Sequence, residues 1–334
     1  MAICQTEVSA DGFDIIRLRN SCMSVGVMPQ LGGKILEMVD LGTGRDWLWK
    51  NPYIPLRHPR PGMDYDRQLD SGGWDEILFS VKPCSLDLPG GRHLSFGDHG
   101  SLVDKAWKTT EAGIDGAGAG VCELLAQGQS PHFQLQRRIV LDANQPRLEL
   151  EYKLTNTGSV AWPWLWCAHP LLAIESGMHI GLKEGQTIRP SHGDASGSGV
   201  LNGNQAWPLL ESSGGTCLDL AGIFKPSSKP ETFCAKLFVR STEEVCVSTA
   251  DGAETLRMRY SPQHLPWLGL WINKNAWSGC GSEPYLNLGL EPATAPHETL
   301  AEAVAHGQAD ILPAGGTRDW SLAICLDNTV NTHG

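Results

Sequence analysis

The clearest periodicity in the chain runs from Arg147 to Thr155. There Leu148, Leu150, Tyr152 and Leu154 alternate with Arg147, Glu149, Glu151, Lys153 and Thr155. A period of two over such a length predicts a half-buried β-strand. Shorter runs with the same alternation lie at residues 15–19, 133–141, 236–240, 245–248, 256–260, 285–290 and 320–326, so strands recur from end to end. Asn156-Thr157-Gly158 closes the best strand with turn residues, and Asp251-Gly252 parts two others with a dipeptide that favours a tight hairpin. Such connections are antiparallel. Only residues 299–306 read as helical, a short apolar run stopped by Gly307. One short helix cannot cover a parallel sheet, which disfavours an α/β fold.

The expectation is therefore an all-β protein, a large antiparallel β-sandwich, with residues 1–334 forming a single domain. The 38 glycines and 21 prolines cut the chain into short segments, and no linker or internal repeat stands out among them. Residues 52–73, rich in Pro, Arg and Asp, form a long irregular stretch, and residues 191–204 and 212–215 read as excursions between strands. Long loops on a compact β domain are often functional.

Charge narrows the partners. With 26 Lys and Arg against 37 Asp and Glu, the net charge is −11 and the isoelectric point near 5.4. That balance opposes nucleic acid and anionic membrane surfaces. No apolar run is long enough to span a bilayer and the first residues lack a signal-peptide pattern, so a cytoplasmic location is expected. The 10 cysteines are scattered without a CxxC pair, which predicts reduced thiols and no structural zinc.

Several segments place ionisable groups among aromatics and turn residues: residues 71–79 (SGGWDEILF), 96–102 (FGDHGSL), 162–172 (WPWLWCAHPLL) and 285–294 (YLNLGLEPAT). His169 ends an aromatic-rich strand and precedes a proline, which biases it toward extended backbone. It is either a structural histidine or a partly desolvated acid-base group. Glu291 ends an apolar run and is either a strand-end surface residue or a buried base. His99, between Asp98 and Gly100, is equally a turn histidine capped by its aspartate. The 12 tryptophans exceed the 5 tyrosines and the 7 phenylalanines taken singly. They fit a large sandwich core as well as a sugar platform.

Taken in order, these segments resemble the aldose 1-epimerase (galactose mutarotase-like) superfamily over nearly the whole chain. The carriers are LEYKLTNTGSVAWPWLWCAHPLL, LGLWIN at 268–273, GLEPAT at 289–294 and LPAGGTRDWSLAI at 312–324. SGGWDE with a later DHG is most similar to a divergent bacterial branch. The resemblance implies a galactose mutarotase-like β-supersandwich with a sugar cleft, and an isomerase that interconverts the α and β anomers of a monosaccharide. In that chemistry a glutamate takes the proton of the anomeric hydroxyl while a histidine protonates the ring oxygen, which is general acid-base catalysis. Glu291 resembles the base, His169 the acid and His99 the second histidine. Trp74, Asp75 and Asp251 resemble cleft-lining or sugar-binding positions, and the resemblance implies neither a cofactor nor a metal.

The galactose-type enzymes carry an Asn-Arg pair after an early Gly-Gly, whereas Gly32-Gly33-Lys34 runs on into Ile-Leu-Glu. Arg67, from the irregular stretch, stands as the replacement for that arginine, and galactose itself is not implied. The expected partner is a small-molecule sugar. A hexose-6-phosphate substrate is the nearest variant, with Arg92 and Lys105 flanking DHG as the available cations. A non-catalytic sugar-binding protein is the second class. A hydrolase ranks last, with Asp75 or Glu76 as its second carboxylate.

Overall fold

The structure, a computed structural model, describes residues 1–60, 62–88, 91–191, 205–211, 215, 217–226 and 232–329. The excursions expected at 191–204 and 212–215 lie almost wholly outside the described residues.

The alternating runs are strands, each close to its expected bounds. Arg147–Asn156 is the model case: its even positions are buried and its partners are His132–Leu141 on one side and Thr317–Asn328 on the other. Among the described residues these belong to an 8-stranded antiparallel sheet that also holds Glu244–Ser248 and Glu254–Tyr260. Asp251 and Gly252 turn between the latter two, with Gly252 at φ +71°. The helix covers Leu300–Ala305, and the Thr299 side chain caps it by accepting the Glu302 N–H.

The second sheet, with 11 strands among the described residues, positions the site. Its central order is Lys34–Asp40, Trp74–Leu78, Trp166–Ala173, Leu286–Ala293, Trp267–Lys274 and Phe233–Arg240. These strands are buried along almost their whole length, so both faces of the sheet are covered. One face packs on the 8-stranded sheet in a continuous core that takes residues from Ile16 to Leu326. Most of the tryptophans belong there: Trp74, Trp162, Trp164 and Trp166 are buried. The core also holds a charged pair, in which Arg137 donates to Glu76 at 3.0 Å, the Tyr152 hydroxyl donates to the same oxygen at 2.7 Å, and Arg137 also donates to the Gly33 carbonyl. Burial pushes the Glu76 carboxyl up to about 7 against the pull of Arg137. Glu76 therefore faces the core and is not available as a second catalytic carboxylate.

Candidate active site

Alternation along Trp74–Leu78 sends Trp74 and Glu76 to the core and Asp75 to the opposite face of the sheet. Asp75 pairs across with His169. The next ladder is paired at Cys167↔Ala293 and at Leu171↔Gly289 but not between, where Pro170 and Pro292 remove two backbone donors. Midway through that register His169 faces Glu291. Glu291 in turn pairs with Gly269, and Lys236 lies one strand further on the same face.

A Cβ on Gly269 would sit 3.2 Å from Glu291 Cβ and 3.3 Å from Lys236 Nζ. The missing side chain lets the lysine lie across the sheet, and its ammonium donates to Glu291 Oε2. Both groups are nearly sealed, with side-chain exposures of 6% for Lys236 and 2% for Glu291. The other carboxylate oxygen, Oε1, lies 3.7 Å from His169 Nε2 and accepts no hydrogen bond.

His99 comes from the turn after Arg92–Phe96. Its φ is +54° and that of Gly100 is +77°, and a Cβ on Gly100 would meet the Leu78 carbonyl oxygen at 2.3 Å. The Asp-His-Gly sequence is thus what this turn demands. Its backbone N–H donates to the Val81 carbonyl, and the Val81 N–H donates to the Glu298 carbonyl, which ties three loops together above the sheet. The imidazole Nδ1 bonds Asp98 at 3.0 Å, and the ring stacks on Tyr65 with centroids 3.5 Å apart.

Tyr65 opens a single π-helical turn, Tyr65–Leu69, inside the stretch expected to be irregular. Its hydroxyl donates to Asp75 at 2.7 Å, and Lys34 donates to the same carboxylate oxygen at 2.6 Å. Asp75 accordingly sits behind Tyr65, in a supporting position.

These side chains enclose a cavity of about 280 Å³, at the small end of ligand pockets. Tyr65, His99, His169, Lys236 and Glu291 line it, with Trp271 and Trp277 on one side and Asp66, Asp70, Asp98, Lys82, Asn287 and Glu298 around them. Four buried polar atoms of this lining have no hydrogen-bond partner: His169 Nδ1, Asn287 Oδ1, Glu291 Oε1 and Glu298 Oε1. Buried polar atoms are normally paired; among the described residues these four group in the wall of one cavity, each with almost no exposed area of its own.

Burial raises the Glu291 carboxyl, yet Lys236 and the imidazoles outweigh it and hold the group below its ordinary value. Burial pushes His169 down to about 4, against the opposing pull of Glu291. Burial also opposes charge on His99, but Asp98, Asp66 and Asp70 prevail and raise it. Burial lifts Asp70 to about 6 and raises Glu298 as well. Asp66, Asp98 and His99 bring their ligand atoms within 4.8 Å of one another. The Asp98–His99 hydrogen bond already accounts for that grouping.

The structure brings His99, His169 and Glu291 together and places the four other expected residues outside the cavity lining, Asp75 behind Tyr65 as described. Trp74 is in the core because its strand position points inward. Arg67 is exposed on the π-helical turn, so its neighbours Tyr65 and Asp66 reach the cavity in its place. Asp251 is exposed at a hairpin of the other sheet, accepting from the Thr249 hydroxyl and the Ala253 N–H. Arg92 and Lys105 do not line the cavity either. Sequence reasoning missed Lys236, Tyr65, Trp271 and Glu298. A lone lysine inside the apolar run FCAKLFVR was the available signal for the first.

No protein-family model matches the chain, and no curated protein matches it in sequence. Solved structures do match it in shape. A candidate aldose 1-epimerase from Klebsiella pneumoniae subsp. pneumoniae superposes with a TM-score of 0.71 at 13% identity, over 94% of this chain and 79% of that one. A galactose mutarotase-like protein from Clostridium acetobutylicum gives 0.67 at 12% identity, over 98% of both chains. A galactose mutarotase-like protein from Lactobacillus casei gives 0.63 at 13% identity, over 94% of this chain and all of that one (100%). The chain therefore has the galactose mutarotase-like β-sandwich fold, and no helix among the described residues is long and apolar enough to cross a membrane.

Proposed function

We propose that the protein is an aldose 1-epimerase-like isomerase acting on a free monosaccharide in this cavity. The observation that carries the reading is Glu291 itself: a buried carboxylate in the cavity wall, kept charged by Lys236 on one oxygen, with the other unpaired and 3.7 Å from His169. A base so placed can take the proton of an anomeric hydroxyl, while an imidazole, His169 by the resemblance, returns one to the ring oxygen. Trp271 and Trp277 add aromatic surface to the lining, as a sugar site would use. The core shared by the two sheets supports reading residues 1–334 as one such domain.

The charge of the lining favours an uncharged sugar over a hexose 6-phosphate. Among the described residues of the lining, Asp66, Asp70, Asp98, Glu291 and Glu298 face Lys82, Lys236 and His99, of which Lys236 is already committed to Glu291 and His99 to Asp98. A phosphate needs Arg or Lys that is free to bind it. The test is α/β anomer exchange by NMR on a panel of aldoses and hexose 6-phosphates. Exchange faster than the uncatalysed rate on free aldoses supports the reading. Binding without any acceleration replaces it with a sugar-binding protein.

A further inference from the structure

His99 and His169 are the two imidazoles of the cavity, with centroids 5.2 Å apart and planes at 87°. Two positive charges at that spacing repel strongly in a buried site, so at most one ring carries a charge. The surroundings of the two are unequal. Asp98 bonds His99 Nδ1 at 3.0 Å, Asp66 from the π-helical turn brings a carboxylate oxygen within 4.8 Å, and buried Asp70 lies at the end of that turn. His169 faces Glu291 across 3.7 Å, with the other oxygen of that carboxylate held by Lys236, and it pairs across the strand with Asp75, whose carboxylate is taken up by Lys34 and Tyr65. Its own Nδ1 has no partner.

The remaining neighbours do not redress the balance. Tyr65 stacks on His99 and presents its ring to His169 edge-on at 6.3 Å, and its hydroxyl is committed to Asp75. Lys82 and Glu298 line the same cavity, and burial biases Glu298 toward its neutral form.

We propose that His99, held as the imidazolium by Asp98, hands the proton to the sugar's ring oxygen, and that His169 acts as a neutral imidazole. This deepens the isomerase reading, on which it rests, and reverses the histidine roles that the resemblance implies. The step balances. Glu291 Oε1 takes the anomeric hydroxyl proton, and the oxygen's electron pair forms the carbonyl. The bond from C1 to the ring oxygen breaks with its pair going to that oxygen, which takes the proton from His99 Nε2. Rotation about C1–C2 and the reverse transfers then close the other anomer and restore both groups.

Histidine side-chain titration by two-dimensional NMR reads the charge without turnover, with His99→Gln and His169→Gln to assign the signals. The expected result is that His99 titrates above the ordinary histidine value of about 6.5, while His169 stays neutral down to about pH 5. Asp98→Asn is the second variant. It moves the midpoint of His99 and the alkaline limb of the kcat/KM profile down together, by about one unit, a tenfold loss on that limb. A purely structural effect lowers the plateau and leaves the limb in place, and that outcome overturns the proposal. So does a titration in which His169 is the ring with the higher midpoint. If the unmutated protein accelerates exchange on no aldose, the isomerase reading and the donor role fall together. Exchange with His169 as the charged ring overturns the donor role alone.

Discussion

Glu291 and His169 face each other across two adjacent antiparallel strands, Oε1 to Nε2 at 3.7 Å, where the backbone ladder between those strands is interrupted. The sheet thus supplies a carboxylate and an imidazole from its strands, while the loops bring His99 and Tyr65 over them. A site mounted on strands holds its geometry more closely than one mounted on loops alone.

On the proposed mechanism, Lys236 sets the acid limb of activity. Because it is what outweighs burial at Glu291, Lys236→Met lets the carboxyl rise. A base works above its pKa, so the loss appears as pH falls, at about tenfold per unit of rise on the acid side. Lys236→Arg restores most of the limb. A kcat/KM profile of the three proteins checks this.

His169 makes the fold sensitive to acid. Its value in the folded chain is pushed down to about 4, against about 6.5 unfolded, so the unfolded chain binds more protons between these limits. Stability falls as pH drops through that window, by an amount on the order of 3 kcal/mol. His169→Gln lacks this contribution. Asp70 and Glu76, whose values are raised to about 6 and about 7, work in the opposite sense but are common to both proteins. The difference in unfolding free energy between the two across this pH range isolates the effect.

Glu76 is structural. Glu76→Gln leaves the Arg137 guanidinium buried without its carboxylate, both side chains being 0% exposed. The expected cost is about 3–5 kcal/mol in denaturant unfolding, with kcat of the folded fraction little changed. A loss of turnover without a loss of stability contradicts this placement.

Gly269→Ala puts a methyl group between Glu291 and Lys236. The neighbouring atoms stand only 3.2 and 3.3 Å from where it lies. Displacing a catalytic carboxylate by a fraction of an ångström to 1 Å costs roughly 10- to 100-fold in kcat, while the melting temperature moves by only a few degrees. Anomer exchange and thermal melting, measured side by side, check the pair of outcomes.

How much of this was legible depends on how each strand is buried. Arg147–Asn156 alternates because only one face meets the core, and such strands show in the sequence. Met23–Met28 is buried at every position, and a strand covered on both faces has no alternation to read. Tyr65–Leu69 is one wide turn, too short to display a helical period. The convergence of His99, His169 and Glu291 depends on register between strands far apart in sequence, which spacing does not encode. The family resemblance supplied those three residues. It also pointed to Trp74, Asp75 and Asp251, which do not line the cavity, because it carries a position over without the face of the strand or the hairpin that bears it; Arg67, offered in place of an arginine the family has and this chain lacks, is exposed.

The most direct test of the account is α/β anomer exchange on the best aldose of the panel, comparing the unmutated protein with Glu291→Gln. Gln keeps the shape and removes the base, so the account predicts that acceleration falls by about 100-fold or more while sugar binding and melting temperature persist. A Glu291→Gln protein that exchanges anomers as fast as the unmutated one contradicts it.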